Sequence, residues 1–288
     1  MKILLLGKNG QLGWELRRSL ATLGPVTALD YEDLNLEDFE AVRATIRGLK
    51  PEVIVNASAY TAVDKAESEP EKAFAINTII PGILAKEALT LKATLIHYST
   101  DYVFDGTKGA PYTEEDSPNP LSVYGKSKLA GEQAIQSVAG AHLIFRTAWV
   151  YSTRQGGFVT KVLQWARQNE TLRIVDDQIS SPTWARLLAE LTAQILARGN
   201  EYTAAHSGLY HLAGAGFTSR FDWTKKIISL DPNKHEHTVK ELLPAVTADF
   251  PTAAQRPLFS ALECSKFADV FGLQLPGWDQ ALSFAQEL

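Results

Sequence analysis

MKILLLGKNGQLG, residues 1–13, decides how the chain begins to fold. Ile3 to Leu6 form a short apolar run that Gly7 stops. Leu12, Leu16, Leu20 and Leu23 then follow at spacings of four, four and three. This pattern is a strand followed by an amphipathic helix. Gly7, Gly10 and Gly13 recur every third residue between them. Glycine lets the backbone turn sharply and approach a pyrophosphate, while the helix start offers free N–H groups and a positive dipole end. The spacing differs from G-x-G-x-x-G, and alone it would suit any strand-to-helix turn. Its place after a first strand and before a first helix predicts a dinucleotide site.

Outward from this turn the alternation continues. Pro25 breaks the helix, and residues 26–30, 52–56, 94–98 and 142–147 read as further strands. Residues 36–49, 71–91 and 122–137 read as the helices between them. Strands apolar on both faces, separated by helices, predict an α/β fold with a doubly wound parallel sheet of the Rossmann, short-chain reductase type. Later segments are shorter: 158–168 and 183–197 look helical, 172–175 and 209–213 look like strands, and five prolines follow Thr218. The expected organisation is a dinucleotide-binding domain over 1–150 and a smaller mixed lobe over 151–288. Elements within about 172–213 are expected to return to the first domain.

The chain is 45% hydrophobic and 21% charged, enough for a sizeable core. A net charge of -5 without a basic block argues against nucleic-acid or anionic-membrane partners and leaves a homodimer open. The single cysteine, Cys264, excludes an internal disulfide and a multi-cysteine metal site. The apolar run before Gly7 is too short for a signal-peptide core or a bilayer span, so a cytoplasmic location is expected. His235 and His237 flank Glu236 without a third ligand, so no metal is expected. His97, inside the fourth strand, reads as a satisfied core histidine.

Asp30 closes the second strand, where an acid commonly holds the adenosine ribose and favours NAD. Lys8 could instead meet a 2′-phosphate and favour NADP, and the residues alone leave this open. The third strand ends in VNASAYTAVDKAE, where Ala57, Ser58 and Ala59 are small enough for a cofactor to lie close, with Tyr60 and Thr61 at its edge. The fourth ends in IHYSTDYVFDG, a burst of hydroxyls after an apolar approach. Further on, Tyr124 and Lys128 lie four apart on one helical face. A phenol with a pKa of about 10 is a poor acid at neutral pH, and a nearby ammonium draws it toward the working range. A lone Tyr-x-x-x-Lys is common by chance. Here it follows a glycine turn and a hydroxyl-bearing strand end in the order expected of short-chain reductases.

GKNGQLG, VNASAYTAVDKAESEP, HYSTDYVFDG, YGKSKLAGE, FRTAWVY and RPLFSALECSK together resemble the dTDP-4-dehydrorhamnose reductases, a family of extended short-chain dehydrogenases/reductases. The resemblance is densest over 53–151 and thinnest over about 195–250. It implies NADPH as cofactor, with NADH also accepted, and a dTDP-sugar as substrate. It implies a catalytic set of Thr100, in a place usually held by serine, with Tyr124 as proton donor and Lys128 supporting Tyr124 and the nicotinamide ribose. Around the cofactor it places Gly7, Gly10, Gln11, Leu12, Gly13, Asp30, Asn35, Leu36, Ala59, Tyr60, Thr61 and Tyr98, besides Tyr124 and Lys128. Thr100, Asp101 and Trp149 would touch the sugar, and Arg256 would hold the diphosphate.

Two neighbouring chemistries fit less well. The related dehydratases carry an Asp-Glu pair after the threonine, whereas Asp101 is followed here by Tyr102, and a phenol is no substitute for that carboxylate base. Epimerases typically carry small residues there. A reading of another class is a non-catalytic NADP-binding regulatory subunit like the beta subunit of methionine adenosyltransferase. Such a protein could dispense with Thr100, Tyr124 and Lys128, all of which are present.

Overall fold

The computed structural model of the protein describes residues 1–154 and 156–286. Its first half alternates β1 (Ile3–Leu6), α1 (Gln11–Leu20), β2 (Val26–Leu29), α2 (Phe39–Leu49) and β3 (Val53–Asn56). The short α3 (Val63–Ala66) and α4 (Pro70–Phe74) follow, then α5 (Ile80–Leu91), β4 (Thr94–Thr100), α6 (Val123–Gln136) and β5 (His142–Thr147). Its second half runs β6 (Val150–Tyr151), α7 (Phe158–Gln168), β7 (Thr171–Val175), β8 (Ile179–Ser180), β9 (Thr183–Trp184), α8 (Ala185–Leu196), α9 (Asn200–Ala205) and β10 (Gly208–His211). It closes with β11 (Thr218–Ser219), α10 (Arg220–Leu230), β12 (Glu241–Ala245), α11 (Ser265–Phe271) and α12 (Trp278–Gln286).

The main sheet has six strands in the order β10-β5-β4-β3-β1-β2, every neighbouring pair parallel. The chain leaves β1 toward one edge and returns to β3 to build toward the other. That reversal opens a crevice at the strands' C-terminal ends. One sheet face is packed by Leu12, Leu16 and Leu20 of α1, Leu188 and Ile195 of α8, and Phe267 of α11. The other is packed by Val42 and Ile46 of α2, Ile83 and Leu84 of α5, and Ile135 of α6. Tight packing at the glycine turn requires Gly13, because a Cβ there would lie 1.8 Å from the Gly7 carbonyl oxygen.

Three expected boundaries move. The fourth strand continues to Thr100, because Ser99 and Thr100 still pair with Arg146 and Thr147 of β5, so the hydroxyls belong to the sheet. The expected helix from 183 starts at Ala185, since Thr183 and Trp184 pair with β6. Of the stretch 172–213, β7 pairs with β12 outside the main sheet, while β10 joins the sheet and α8 its cover. Residues 70–91 form one helical run, α4 and α5 joined by a π-helical turn at Ala75–Ile79. Its length and composition would suit a membrane span, yet it covers the sheet, and its Glu87 is bonded to Arg43 and Arg47 of α2.

Candidate active site

At the ends of β1, β2 and β3 lies a cavity of about 380 Å³, lined among others by Gly7, Asp30, Leu36, Ala59 and Tyr60. At its edge α1 begins after Gly10 without a side-chain cap, and the first helical N–H to bond back is that of Trp14. The N–H groups of Gln11, Leu12 and Gly13 are therefore left for a ligand, which fits the pyrophosphate of a dinucleotide. Asp30 both lines the cavity and braces the turn, accepting the Asn9 and Tyr31 N–H groups at 2.8 Å each. Lys8 is paired with Asp33 at 2.6 Å. Lys72, which the sequence did not flag, lines the same cavity and sits 3.6 Å from Glu37. Asn35 and Thr61 are exposed and lie outside that lining; Asn35 Oδ1 accepts the Glu37 N–H instead. The Gln11 side chain also turns elsewhere. It accepts from Ser152 N at 2.9 Å and donates to the Val150 carbonyl at 3.3 Å, tying α1 to the segment after β5.

Thr100 ends β4 and Tyr124 opens α6, and Gly125 brings them together. A Cβ on Gly125 would lie 2.3 Å from the Tyr102 carbonyl, so only glycine lets α6 press against the turn that follows Thr100. Burial pushes the Tyr124 phenol above its ordinary value, and the neighbouring Thr100 hydroxyl offsets part of that rise. Tyr102 meets Tyr124 edge-on, with ring centroids 5.7 Å apart.

Lys128 is completely buried, and its ammonium does not reach the Tyr124 hydroxyl as the helical spacing suggested. Its Nζ donates to the Tyr98 carbonyl at 2.6 Å and lies 3.2 Å from His97 Nε2. Burial draws Lys128 down to about 8, against the opposing pull of Glu132. Tyr98 presents that carbonyl, but its ring stays in the core with its hydroxyl 2.7 Å from Thr192 Oγ1. Its expected side-chain contact with a cofactor is therefore replaced by an anchor to α8.

The residues expected around the sugar nucleotide divide. Asp101 is almost fully buried, accepting from Ser260 Oγ at 2.5 Å, from Ser180 Oγ at 3.1 Å and from Thr100 Oγ1 at 3.1 Å. Burial raises it to about 6, those three hydroxyls opposing. With its oxygens so occupied it orients Thr100 and ties β4 to the second half, rather than offering a free carboxylate to a sugar. Trp149 stacks on Trp223 at 5.5 Å and carries the Arg220 guanidinium 3.7 Å from its ring centre. Arg256, expected at a diphosphate, is gripped by Asp64, Nη2 to Oδ2 at 2.6 Å and Nη1 to Oδ1 at 3.1 Å, and lines the same cavity as Arg220.

Two polar residues escaped the sequence reading. Arg220 has no carboxylate partner among the described residues. Its guanidinium lies over Trp149 and, at 4.7 Å, over Phe158. It lines a cavity of about 480 Å³ with Phe158, Trp165, Arg173 and Phe250. Burial draws it down to about 10, so it stays charged at neutral pH. Nothing in TSRFDW marks it, because the two aromatic rings nearest its guanidinium, Trp149 and Phe158, come from distant segments. Asn77 sits in the π turn, where Oδ1 accepts the Tyr60 N–H at 2.9 Å and Nδ2 donates to Ser127 Oγ at 3.0 Å, locking the cofactor edge to α6. A lone asparagine in the apolar run AINTI was its only signal. Among the described residues no three histidine, cysteine or acidic side chains are grouped to hold a metal ion.

The family model described as the RmlD substrate binding domain matches residues 1–287. The chain belongs to this family. A dTDP-4-dehydrorhamnose reductase of Salmonella typhimurium is 45% identical, the match covering 97% of this chain and 95% of the relative. One of Escherichia coli is 44% identical over 96% and 94%. Among solved structures, a dTDP-4-dehydrorhamnose reductase of Clostridium acetobutylicum superposes with a TM-score of 0.91 at 34% identity, covering 100% of this chain and 99% of that one. That of Bacillus anthracis, solved in complex with NADP, gives 0.89 at 31% identity over 99% of each. A UDP-glucose 4-epimerase of Thermus thermophilus shares the fold, with a TM-score of 0.81 at 19% identity over 100% and 98%.

Proposed function

We propose that the protein reduces the 4-keto group of dTDP-6-deoxy-L-lyxo-4-hexulose to give dTDP-L-rhamnose, with NADPH or NADH. The observation that carries this reading is the Thr100–Tyr124 pair, the threonine hydroxyl beside the phenol, in a chain that also holds a cavity suited to a dinucleotide and a second one lined by arginines and aromatics. The α1 N–H groups hold the pyrophosphate, Asp30 takes the adenosine ribose, and the bound cofactor supplies a hydride to the carbonyl carbon. Tyr124 donates to the sugar oxygen, where negative charge grows, and Thr100 adds a second hydrogen bond when its one hydroxyl proton turns from Asp101 to the substrate. A phenol with a raised pKa keeps its proton until that charge develops, then gives it up. Lys128, one turn along α6 from Tyr124 and anchored at the Tyr98 carbonyl, supports Tyr124 and the nicotinamide ribose. Dehydration remains disfavoured, since Tyr102 replaces a carboxylate and Asp101 is occupied by three hydroxyls. The family's reductase relatives and the presence of all three catalytic residues favour an enzyme over a regulatory subunit. We also infer a largely substrate-binding role for 151–288, action in the cytoplasm, and a homodimer as the assembly to test.

In this reading Arg220 joins Arg256, which lines the same cavity, at the diphosphate. An unpaired, aromatic-backed guanidinium loses little ordering entropy and can bind two phosphate oxygens. Arg220→Met is expected to raise KM for the dTDP-sugar about 10- to 100-fold with kcat little changed, since a hydrogen bond to a charged group contributes ~1.5–3 kcal/mol. Steady-state kinetics and titration with dTDP measure this. An unchanged KM would remove Arg220 from the site.

A further inference from the structure

His97, expected to be a satisfied core histidine, bridges the Asn56 amide and the Lys128 amine. It is completely buried, and burial, with Lys128 adding to it, holds its imidazole well below the ordinary value. It therefore carries one ring proton. The position of that proton follows from Asn56, at the end of β3. Asn56 Oδ1 accepts the Ser58 backbone N–H at 3.2 Å and the Ser58 hydroxyl at 2.6 Å. A backbone N–H only donates, so the amide oxygen faces Ser58 and the NH2 group faces His97. That nitrogen lies 3.0 Å from His97 Nδ1. A neutral imidazole accepting at Nδ1 has its proton on Nε2, which lies 3.2 Å from Lys128 Nζ.

An ammonium has three donors and no lone pair. When Lys128 is charged, two donors face each other across this contact. When it is an amine, every link is satisfied: Nε2–H donates to the Nζ lone pair, and Nζ donates to the Tyr98 carbonyl at 2.6 Å. We propose that the Ser58–Asn56–His97 chain positions Lys128 Nζ and favours its neutral amine over its ammonium. His97 is thus a positioning residue that acts through Lys128, and its part in catalysis rests on the reductase reading above.

The other groups around Lys128 are few. Glu132, on the same helix, favours the charged form, but its carboxylate is held by Arg146 of β5 at 2.7 and 3.0 Å. Tyr124, also on α6, keeps its proton, and Asn56 of β3 is uncharged. None of these groups reverses the proton order along the chain.

Two NMR measurements test this without any turnover, so they stand apart from whether the protein reduces the sugar. Ring ¹⁵N shifts of His97 in the wild-type protein, assigned with His97→Ala, should place its proton on Nε2. The Lys128 ε-amine, assigned with Lys128→Met, should titrate well below an ordinary lysine. In His97→Ala, where water can accept from Nζ, that titration should move up by about one unit. An acceptor at Nε2 would give the opposite sign, because its loss would move the titration down. A proton on Nδ1, an unmoved titration or a downward move each overturns the proposal. The wild-type tautomer decides the matter even if His97→Ala folds poorly.

Discussion

Tyr124→Phe is expected to lower kcat by about 10²- to 10⁴-fold, the range that general acid catalysis contributes, while cofactor affinity stays near wild type. The substitution removes one hydroxyl and keeps the ring that meets Tyr102 edge-on, so packing around Thr100 is preserved. What is lost is the proton donor that this account places at the growing alkoxide. Thr100 still donates a hydrogen bond to that oxygen, which leaves a residual rate. Asp101, though burial raises it to about 6, is turned toward Ser260 and Ser180 and offers no replacement proton. Single-turnover and steady-state rates, with cofactor binding followed by fluorescence, check this. A rate within tenfold of wild type would mean that another group protonates the sugar oxygen.

The second large effect is structural. Gly13→Ala would place a methyl 1.8 Å from the Gly7 carbonyl oxygen, against backbone that cannot step aside. Either α1 lifts from the sheet, disturbing Leu12, Leu16 and Leu20, or the turn shifts and misaims the helix-start N–H groups. Overpacking of this kind costs about 1–3 kcal/mol of stability, and a weaker pyrophosphate grip should reduce cofactor affinity by about tenfold. Gly10→Ala is the control. A Cβ there meets nothing closer than 3.5 Å, and Gly10 has an ordinary φ of -64°. Thermal melts and cofactor titration compare the two, and equal behaviour would show that the close approach at Gly13 does not matter.

Much of the first half was legible from local pattern. Short runs apolar on both faces, such as Ile3–Leu6, can only be strands buried between helix layers, and they are. The end of β4 was harder, because its apolar run gives way to hydroxyls and the pattern ends the strand at Tyr98. Pairing of Thr100 with Thr147 keeps them in the sheet, and that is a long-range fact. The same distinction governs the site. Position in the chain told which residues line the cavity at the strand ends, as for Gly7, Asp30 and Tyr60, but not where long side chains turn. Gln11 is claimed by Ser152, Tyr98 by Thr192 and Arg256 by Asp64, each through a contact between segments far apart in sequence. Arg220 was missed for the converse reason: its aromatic support is assembled only when Trp149, Phe158 and Trp223 meet. The His97 proton could not be read at all without the Ser58–Asn56 contact that orients the amide.

The most direct test of the account follows NADPH absorbance as purified protein meets dTDP-6-deoxy-L-lyxo-4-hexulose, with the product identified by mass and NMR. The account predicts cofactor oxidation matched one for one by dTDP-L-rhamnose, and its near-disappearance in Tyr124→Phe. No oxidation by a folded, NADPH-binding wild-type protein would contradict it.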